Sequence, residues 1–395
     1  EWDKWKAMVQ PPLERFKQMY HPLQQPEGRN DGRLQTMVNR EYMKNEADYC
    51  CPRTFKAGFD FLDANRDADN WLLHLECFDP HEPFAAPARF RERYPTGYTG
   101  PILDWPRYKR HEETSLEVQE LRANYAALLS MCDEYFGRLL DYMDCHGMWK
   151  DTTVILSTDH GFLLAEHDWW GKNRMPFFNE IAHIPLVISH PAFAAQAGQR
   201  RQALTQTTDL MPTLLDLHGV KPPVTVEGHS LMPLLAQDMS LRVAAIYGMF
   251  GAATNITDGR YTYFRYPHDM TRQDLYEYTL MPMHLKSMFA VDDLAQAELA
   301  RGFNFTQGVP LLKVPARRNA KGQPVGHTGQ GSGYEDTTTV LFDLASDPAQ
   351  LRPIRDVAVE ERLLSQIGNL MKKNDAPPEA FLRLDLTVPA KSLRV

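Results

Sequence analysis

Across 395 residues the sequence holds no run of eighteen apolar residues, so no helix of the usual membrane-spanning kind is expected. It has no excess of positive charge: 43 Lys and Arg against 51 Asp and Glu leave a net charge of −8. That argues against a nucleic-acid binder, which needs a basic face. An anionic substrate would have to be held against the protein's own field, by a metal or a few local cations. Cysteine is scarce. The five, at 50, 51, 77, 132 and 145, are odd in number and lack zinc-knuckle spacing, which excludes a disulfide framework and a structural zinc site. The first residue is Glu1, and no basic start followed by an apolar stretch is visible, so the beginning carries no secretory signal and the chain reads as processed or partial. The two sequons, Asn255-Ile256-Thr257 and Asn304-Phe305-Thr306, matter only in a eukaryotic secretory setting.

What is present is ordinary for a globular protein: 43% hydrophobic and 24% charged residues, enough for a normal core and too apolar for wholesale disorder. The length allows two or three domains, or one large α/β domain with a smaller partner. Residues 1 to 50 read as polar and irregular, with short helical pieces at best. A short helix is expected at Thr54 to Asn65 and a strand at Trp71 to Phe78, whose nearly continuous apolar character suits a buried parallel strand. His74 on that strand reads as a core histidine.

The clearest helix spans about 117 to 146. Val118, Leu121, Tyr125, Leu128, Cys132, Phe136, Leu139 and Met143 recur at steps of three and four, and Gly147 stops it. Thr152 to Thr158 and Pro185 to Ser189 follow as short strands. Asp209 to His218 reads as a helix with Asp209 as its N-cap. Helix and strand in alternation predict an α/β sandwich with a mostly parallel sheet over residues 1–240.

After 240 a smaller α+β subdomain is expected over 241–395. Its strands are Val243 to Phe250, Arg260 to Tyr266 and Thr338 to Asp343, and its helix is Val357 to Lys373. A long insertion at about 268–334 reads as partly helical, near 272 to 300, and partly as a mobile Gly-rich loop, Asn319 to Glu335.

The chemistry concentrates at Ser157-Thr158-Asp159-His160-Gly161. A buried strand ends in a carboxylate and an imidazole, where ligands of open α/β sheets collect, and such a pair can bind a divalent cation by oxygen and nitrogen. The wider stretch runs from Thr158 through Ala165-Glu166-His167 and Trp169-Trp170 to Lys172, thirteen residues after Asp159. It resembles the sulfatase family, within the alkaline-phosphatase-like superfamily, whose pattern is (S/T)-D-(H/N)-G-x-x-x-G-E-H-x-x-x-x-K. Ala165 departs from the family's Gly, which touches only the turn. Further blocks agree in order: Pro80-His81-Glu82-Pro83 resembles the family's P-H-x-P, Asp209-Leu210-Met211-Pro212-Thr213-Leu214 with Gly228-His229-Ser230-Leu231 resembles its D-x-x-P-T-L…G-x-S-L block, and Leu341-Phe342-Asp343-Leu344 with Asp347-Pro348 resembles its closing strand.

The resemblance implies an alkaline-phosphatase-like α/β sandwich and a metal-dependent sulfuric-ester hydrolase. Asp159 and His160 would be metal ligands, most simply of Ca²⁺, with Mn²⁺ or Mg²⁺ as alternatives because imidazole is an unusual Ca²⁺ ligand. His81 and Lys172 would contact the substrate and serve catalysis, and His167 would be a further substrate contact. The substrate would be a sulfated carbohydrate or an aryl sulfate, and the resemblance implies a periplasmic, secreted or lysosomal location, with a cytoplasmic one left open. The family's two further metal Asp residues and its C-x-P-x-R nucleophile, formylglycine in true sulfatases, belong upstream of P-H-x-P and are not found. The chain is therefore expected to be an N-terminally truncated piece without a nucleophile and inactive alone. Cys50-Cys51-Pro52-Arg53 imitates C-x-P, but its Arg comes too early. Two rival readings stand beside the sulfatase: a phosphonate monoester or phosphodiester hydrolase of the same superfamily, and a non-catalytic anion-binding remnant.

Overall fold

The computed structural model describes residues 16–27, 31–172, 176–284, 288–317 and 336–389. The chain divides into two units, one of residues 1–153 with 163–171, the other of 154–162 with 172–395.

Three helices dominate the first unit. α1 (Gly32–Tyr42) lies in the stretch expected to be irregular. It forms because Asp31 accepts from the Arg33 N–H, a side-chain cap, and because Leu34 and Met37 bury one face against Phe16 and Tyr20. α2 (Cys50–Ala64) starts four residues before Thr54, the expected first residue. Tyr49 offers no side-chain cap, but the Asp79 carboxylate accepts from the Cys51 N–H at 2.9 Å, and Pro52 sits in the first turn, where its missing N–H costs nothing. α3 (Ser115–His146) opens on a capping box between Thr114 and Glu117 and ends on Gly147 at φ 61°. Leu121, Leu128, Met131 and Tyr135 bury its inner face.

Between α2 and α3, residues 71–78 are extended but join no ladder among the described residues, so the expected strand is corrected to an unpaired segment. Burial alternates along it: Trp71, Leu73, Leu75 and Cys77 are half-buried, and Leu72, His74, Glu76 and Phe78 are exposed. His74 is therefore not a core histidine. The segment lies flat on α2, where a Cβ on Gly58 would come within 2.7 Å of the Leu75 side chain.

In the second unit β1 (Val154–Ser157) pairs with β2 (Leu186–Ser189), which follows the one-turn helix α4 (Asn179–Ala182). The pairing is antiparallel, Val154 facing Ser189 and Ser157 facing Leu186, and every ladder among the described strands is antiparallel. The expected parallel sheet is corrected accordingly. Short apolar β-branched runs look alike in both kinds of pairing, so composition could not supply strand direction.

α5 (Leu210–Leu217) matches expectation in length, but Asp209 does not cap it. Its buried carboxylate instead accepts from the Gln206 and His229 N–H groups and from the Arg242 guanidinium.

A four-stranded sheet follows, built from β3 (Ala245–Gly248), β4 (Thr254–Thr257), β5 (Tyr261–Arg265) and a later strand. Polar Thr254-Asn255-Ile256-Thr257 gave no apolar run, so β4 was not expected. It forms as the middle of a meander with both edges satisfied. The insertion is corrected from helix to a three-stranded sheet: β6 (Tyr276–Thr279), β7 (Glu298–Ala300) and β8 (Leu311–Pro315), in the order β6-β8-β7. Among the described residues there, only Val291–Leu294 is helical. Aromatic and β-branched residues in 276–279 favour the pleated surface over the helix. The Gly-rich stretch Asn319 to Glu335 lies outside the described residues. β9 (Val340–Asp343) completes the four-stranded sheet in the order β9-β5-β4-β3. α6 (Val357–Lys373) covers one face, placing Leu363, Ile367 and Met371 against Ile256, Tyr263 and Leu341.

Candidate active site

Asp159 and His160 follow β1 by two and three residues, at its carboxyl end. The Asp159 carboxylate accepts from the His160 backbone N–H at 2.9 Å through Oδ1, and its Oδ2 lies 3.2 Å from His160 Nε2. His160 Nδ1 is 3.0 Å from the Gly161 carbonyl oxygen. Donating there puts a ring proton on Nδ1 and turns Nε2 toward the carboxylate. Asp159 is 81% exposed at its side chain, so the pair opens to solvent. Gly161 is obligatory: its N–H donates to the Ile181 carbonyl at 2.9 Å, and a Cβ there would lie 1.8 Å from the Glu180 carbonyl oxygen.

The donor set fits part of a divalent-cation site. Two ligands at right angles around a cation with bonds of roughly 2.3 Å stand roughly 3.2 Å apart, the separation seen here. An imidazole nitrogen and a carboxylate oxygen at this separation can share either a proton or a cation. Among the described residues no group of three or more His, Cys, Asp or Glu gathers as a metal site, so the Asp159–His160 pair does not make one by itself.

Lys172, in the same unit, is 5% exposed, with Nζ 5.9 Å from the Phe162 ring centroid. It is a buried cation rather than a solvated loop lysine.

His81 and His167 belong to the first unit. His81 stacks on Phe78, ring centroids 4.4 Å apart, and its Nδ1 meets the Glu82 carbonyl at 2.6 Å. That hydrogen bond fixes the ring's orientation and leaves Nε2 as the working nitrogen of a side chain 36% exposed. The Glu82 carboxylate is buried, lies 3.4 Å from His81 Nδ1, and accepts from the Tyr108 hydroxyl. Both prolines of the motif follow cis bonds, Asp79-Pro80 and Glu82-Pro83.

His167 sits in a tight loop of the hairpin Leu163–Leu164/Trp170–Gly171. Ala165, His167 and Asp168 all have positive φ, at 69°, 52° and 64°. The Arg122 guanidinium on α3 pins this loop by donating to the Leu164 carbonyl at 2.7 Å. Trp169 and Trp170 are buried, and Trp170 Nε1 donates to Glu113 at 2.9 Å, so both are packing residues rather than pocket walls.

The C-x-P imitation lacks the lowered thiol that a cysteine nucleophile uses. Burial and the nearby Asp79 carboxylate hold the Cys50 thiol above its ordinary value. Cys51 is fully buried, and its thiol is pushed far up by hydrogen bonds with Cys132 and Cys77 and by burial.

Sequence reasoning did not single out Glu82, Arg122 or Gln350. Glu82 lies inside the P-H-x-P block, and its place between histidine and proline is the available signal. Arg122 and Gln350 act across 42 and 171 residues of sequence, and no local pattern marks them.

A model of N-sulphoglucosamine sulphohydrolase C-terminal regions matches residues 165–303. The multifunctional alkaline phosphatase superfamily protein PehA of Trinickia caryophylli is 30% identical over 200 residues, 44% of this chain and 38% of that protein. An N-acetylglucosamine-6-O-sulfatase of Bacteroides thetaiotaomicron is 27% identical over 237 residues, 56% of this chain and 42% of that protein. The chain thus spans about two fifths of the length of these curated relatives. In fold it is similar to a phosphonate monoester hydrolase of Agrobacterium radiobacter, with a TM-score of 0.54 at 19% identity over 83% of this chain and 61% of that one. The model of the sulfatase family itself matches residues 22–220, half of the chain and the part that holds the Asp159–His160 pair and Lys172, and the protein belongs to the sulfatase family.

Proposed function

We propose that the protein hydrolyses sulfate esters, with Asp159 and His160 as two of the ligands of a divalent cation. The observation that carries this reading is the 3.2 Å approach of Asp159 Oδ2 and His160 Nε2 at the end of β1. The sulfatase family is generally metal-dependent. Ca²⁺ is the proposed ion, with Mn²⁺ or Mg²⁺ as alternatives on account of the imidazole ligand.

When bound, the cation would neutralise charge on the sulfuryl oxygens and hold the group in place. Asp159 would anchor it by oxygen. His160 would do so by Nε2, its ring steered by the Gly161 carbonyl. Lys172 would set a buried positive charge against a substrate oxyanion, where low dielectric strengthens the attraction. His81, its ring oriented through Nδ1, would offer a proton at Nε2 to the departing alkoxide. His167 is proposed as a further substrate contact. No residue of this chain is assigned as the nucleophile. The N-acetylglucosamine-6-O-sulfatase relative supports a sulfated carbohydrate as the substrate class.

Likeness of fold to phosphonate monoester hydrolases favours a second reading, cleavage of phosphonate monoesters on the same residues. The test compares turnover of an aryl sulfate and an aryl phosphonate monoester by the protein expressed from its complete reading frame. Sulfate turnover lost on chelation and restored by added metal supports the proposal. Turnover of phosphonate alone transfers it to the second reading. Metal-dependent binding of sulfated sugars without turnover would make the chain an anion-binding module.

A further inference from the structure

α4 is a single helical turn, too short to hold its own position in water. Its first N–H groups have no intrahelical partner, and Phe178 at its N-cap has no side chain that can accept. The missing cap comes from a distance. Gln350, 2% exposed and held at φ 51°, accepts from the Asn179 N–H at 2.7 Å through Oε1. Its Nε2 donates to Thr262 Oγ1, also at 2.7 Å, on the central strand β5 of the four-stranded sheet. Phe178 adds an apolar anchor, edge-on to Phe264 and Phe342 of the same sheet. The other end of α4 meets the metal-donor turn, where the Ile181 carbonyl accepts the Gly161 N–H and the Glu180 carbonyl leaves no room for a Cβ.

We infer that Gln350 is a positioning residue for the Asp159-His160-Gly161 turn: it fixes α4 to the sheet, and α4 in turn fixes the backbone from which both metal donors project. The inference rests on the metal reading only for its functional meaning, since the mechanical link Thr262–Gln350–Asn179–α4–Gly161 is independent of any ion. Both ends of the Gln350 amide are used, as acceptor and as donor, inside a dry contact where an unmade hydrogen bond is costly.

The test is hydrogen exchange of the metal-free chain, read separately for residues 158–163, 179–183 and 357–373, together with titration by Mn²⁺ alone. Gln350→Leu keeps the volume and removes both polar ends. It should speed exchange in 158–163 and 179–183 by about tenfold, the worth of one buried hydrogen bond, and leave α6 at 357–373 unchanged. Gln350→Glu, which burial keeps neutral at mildly acidic pH, accepts from Asn179 by its carbonyl and donates its O–H to Thr262 Oγ1 as the amide does, so there it should restore protection. Thr262→Val, which loosens the far end only, should give a smaller effect in the same two segments and serves if Gln350→Leu fails to fold. The inference is overturned if 158–163 keeps its protection while 179–183 loses it, or if all three segments accelerate together. Should exchange behave as expected while the protein expressed from its complete reading frame binds no Mn²⁺, the positioning stands and the metal reading falls.

Discussion

His160 Nε2 and Asp159 Oδ2 face each other across 3.2 Å at the end of β1. A proton on Nε2 would make an ion pair, and a divalent cation would make both of them ligands. Asp159→Asn keeps the shape and removes the charge, and His160→Gln removes the directed nitrogen. Each should weaken Mn²⁺ or Ca²⁺ binding by at least about tenfold, read by calorimetric titration, with thermal stability nearly unchanged because Asp159 is exposed. Equal affinities in wild type and both variants would remove the pair from the metal site.

Asp209 and Arg242 form a buried charge pair in the second unit, with two contacts of 2.5 and 2.7 Å. Burial pushes the Asp209 carboxyl up, but the Arg242 guanidinium and the His229 and Gln206 N–H groups outweigh it and hold it below its ordinary value. A depressed folded-state value means that the stabilisation is full above the unfolded carboxylate value of about 3.9 and drains as pH falls through the folded one. Arg242→Met should cost about 3–5 kcal/mol by leaving a buried carboxylate unpaired. It should also raise the pH at which acid unfolding begins, as followed by circular dichroism.

The sequence already carried the site's ingredients, because Asp159, His160 and Lys172 lie close together in one stretch and a strand end is a local feature. Helices α3 and α6 were equally legible, since long amphipathic periods and caps are written locally. What the sequence could not carry was direction and distance. β1 and β2 pair antiparallel although nothing in Val154-Ile155-Leu156-Ser157 distinguishes that from a parallel neighbour. Asp209 has the composition of an N-cap, yet Arg242, 33 residues on, takes its carboxylate. The insertion's Leu, Ala and acidic residues suggested a helix, and only pairing with β8 makes strands of 276–279 and 298–300.

Ala165 occupies the left-handed region at φ 69°, where a Cβ costs roughly 1–2 kcal/mol. Glycine relieves that strain but loosens the unfolded chain by about 0.5–1 kcal/mol. Ala165→Gly should therefore stabilise the protein by about 0.5–1 kcal/mol, seen as a higher denaturation midpoint in urea at unchanged slope. A lower midpoint would mean that the Ala165 methyl packs usefully in the hairpin.

Cys50 tests whether the apparent C-x-P motif has any chemistry. A nucleophilic cysteine needs a thiolate near neutral pH, usually from a neighbouring cation or a helix N-terminus. Cys50 sits at the start of α2, but the N-terminal field is already answered by Asp79, whose carboxylate accepts the Cys51 N–H at 2.9 Å. The same negative charge, together with burial, raises the Cys50 thiol. Cys50→Ala should leave hydrolysis within about twofold of wild type, a change under roughly 0.5 kcal/mol in barrier. Iodoacetamide at pH 7 should label exposed Cys145 well before Cys51, which is fully buried. A loss of turnover of a hundredfold or more in Cys50→Ala, with the fold intact by circular dichroism, would place the nucleophile in this chain after all and reverse the assignment made from Asp79.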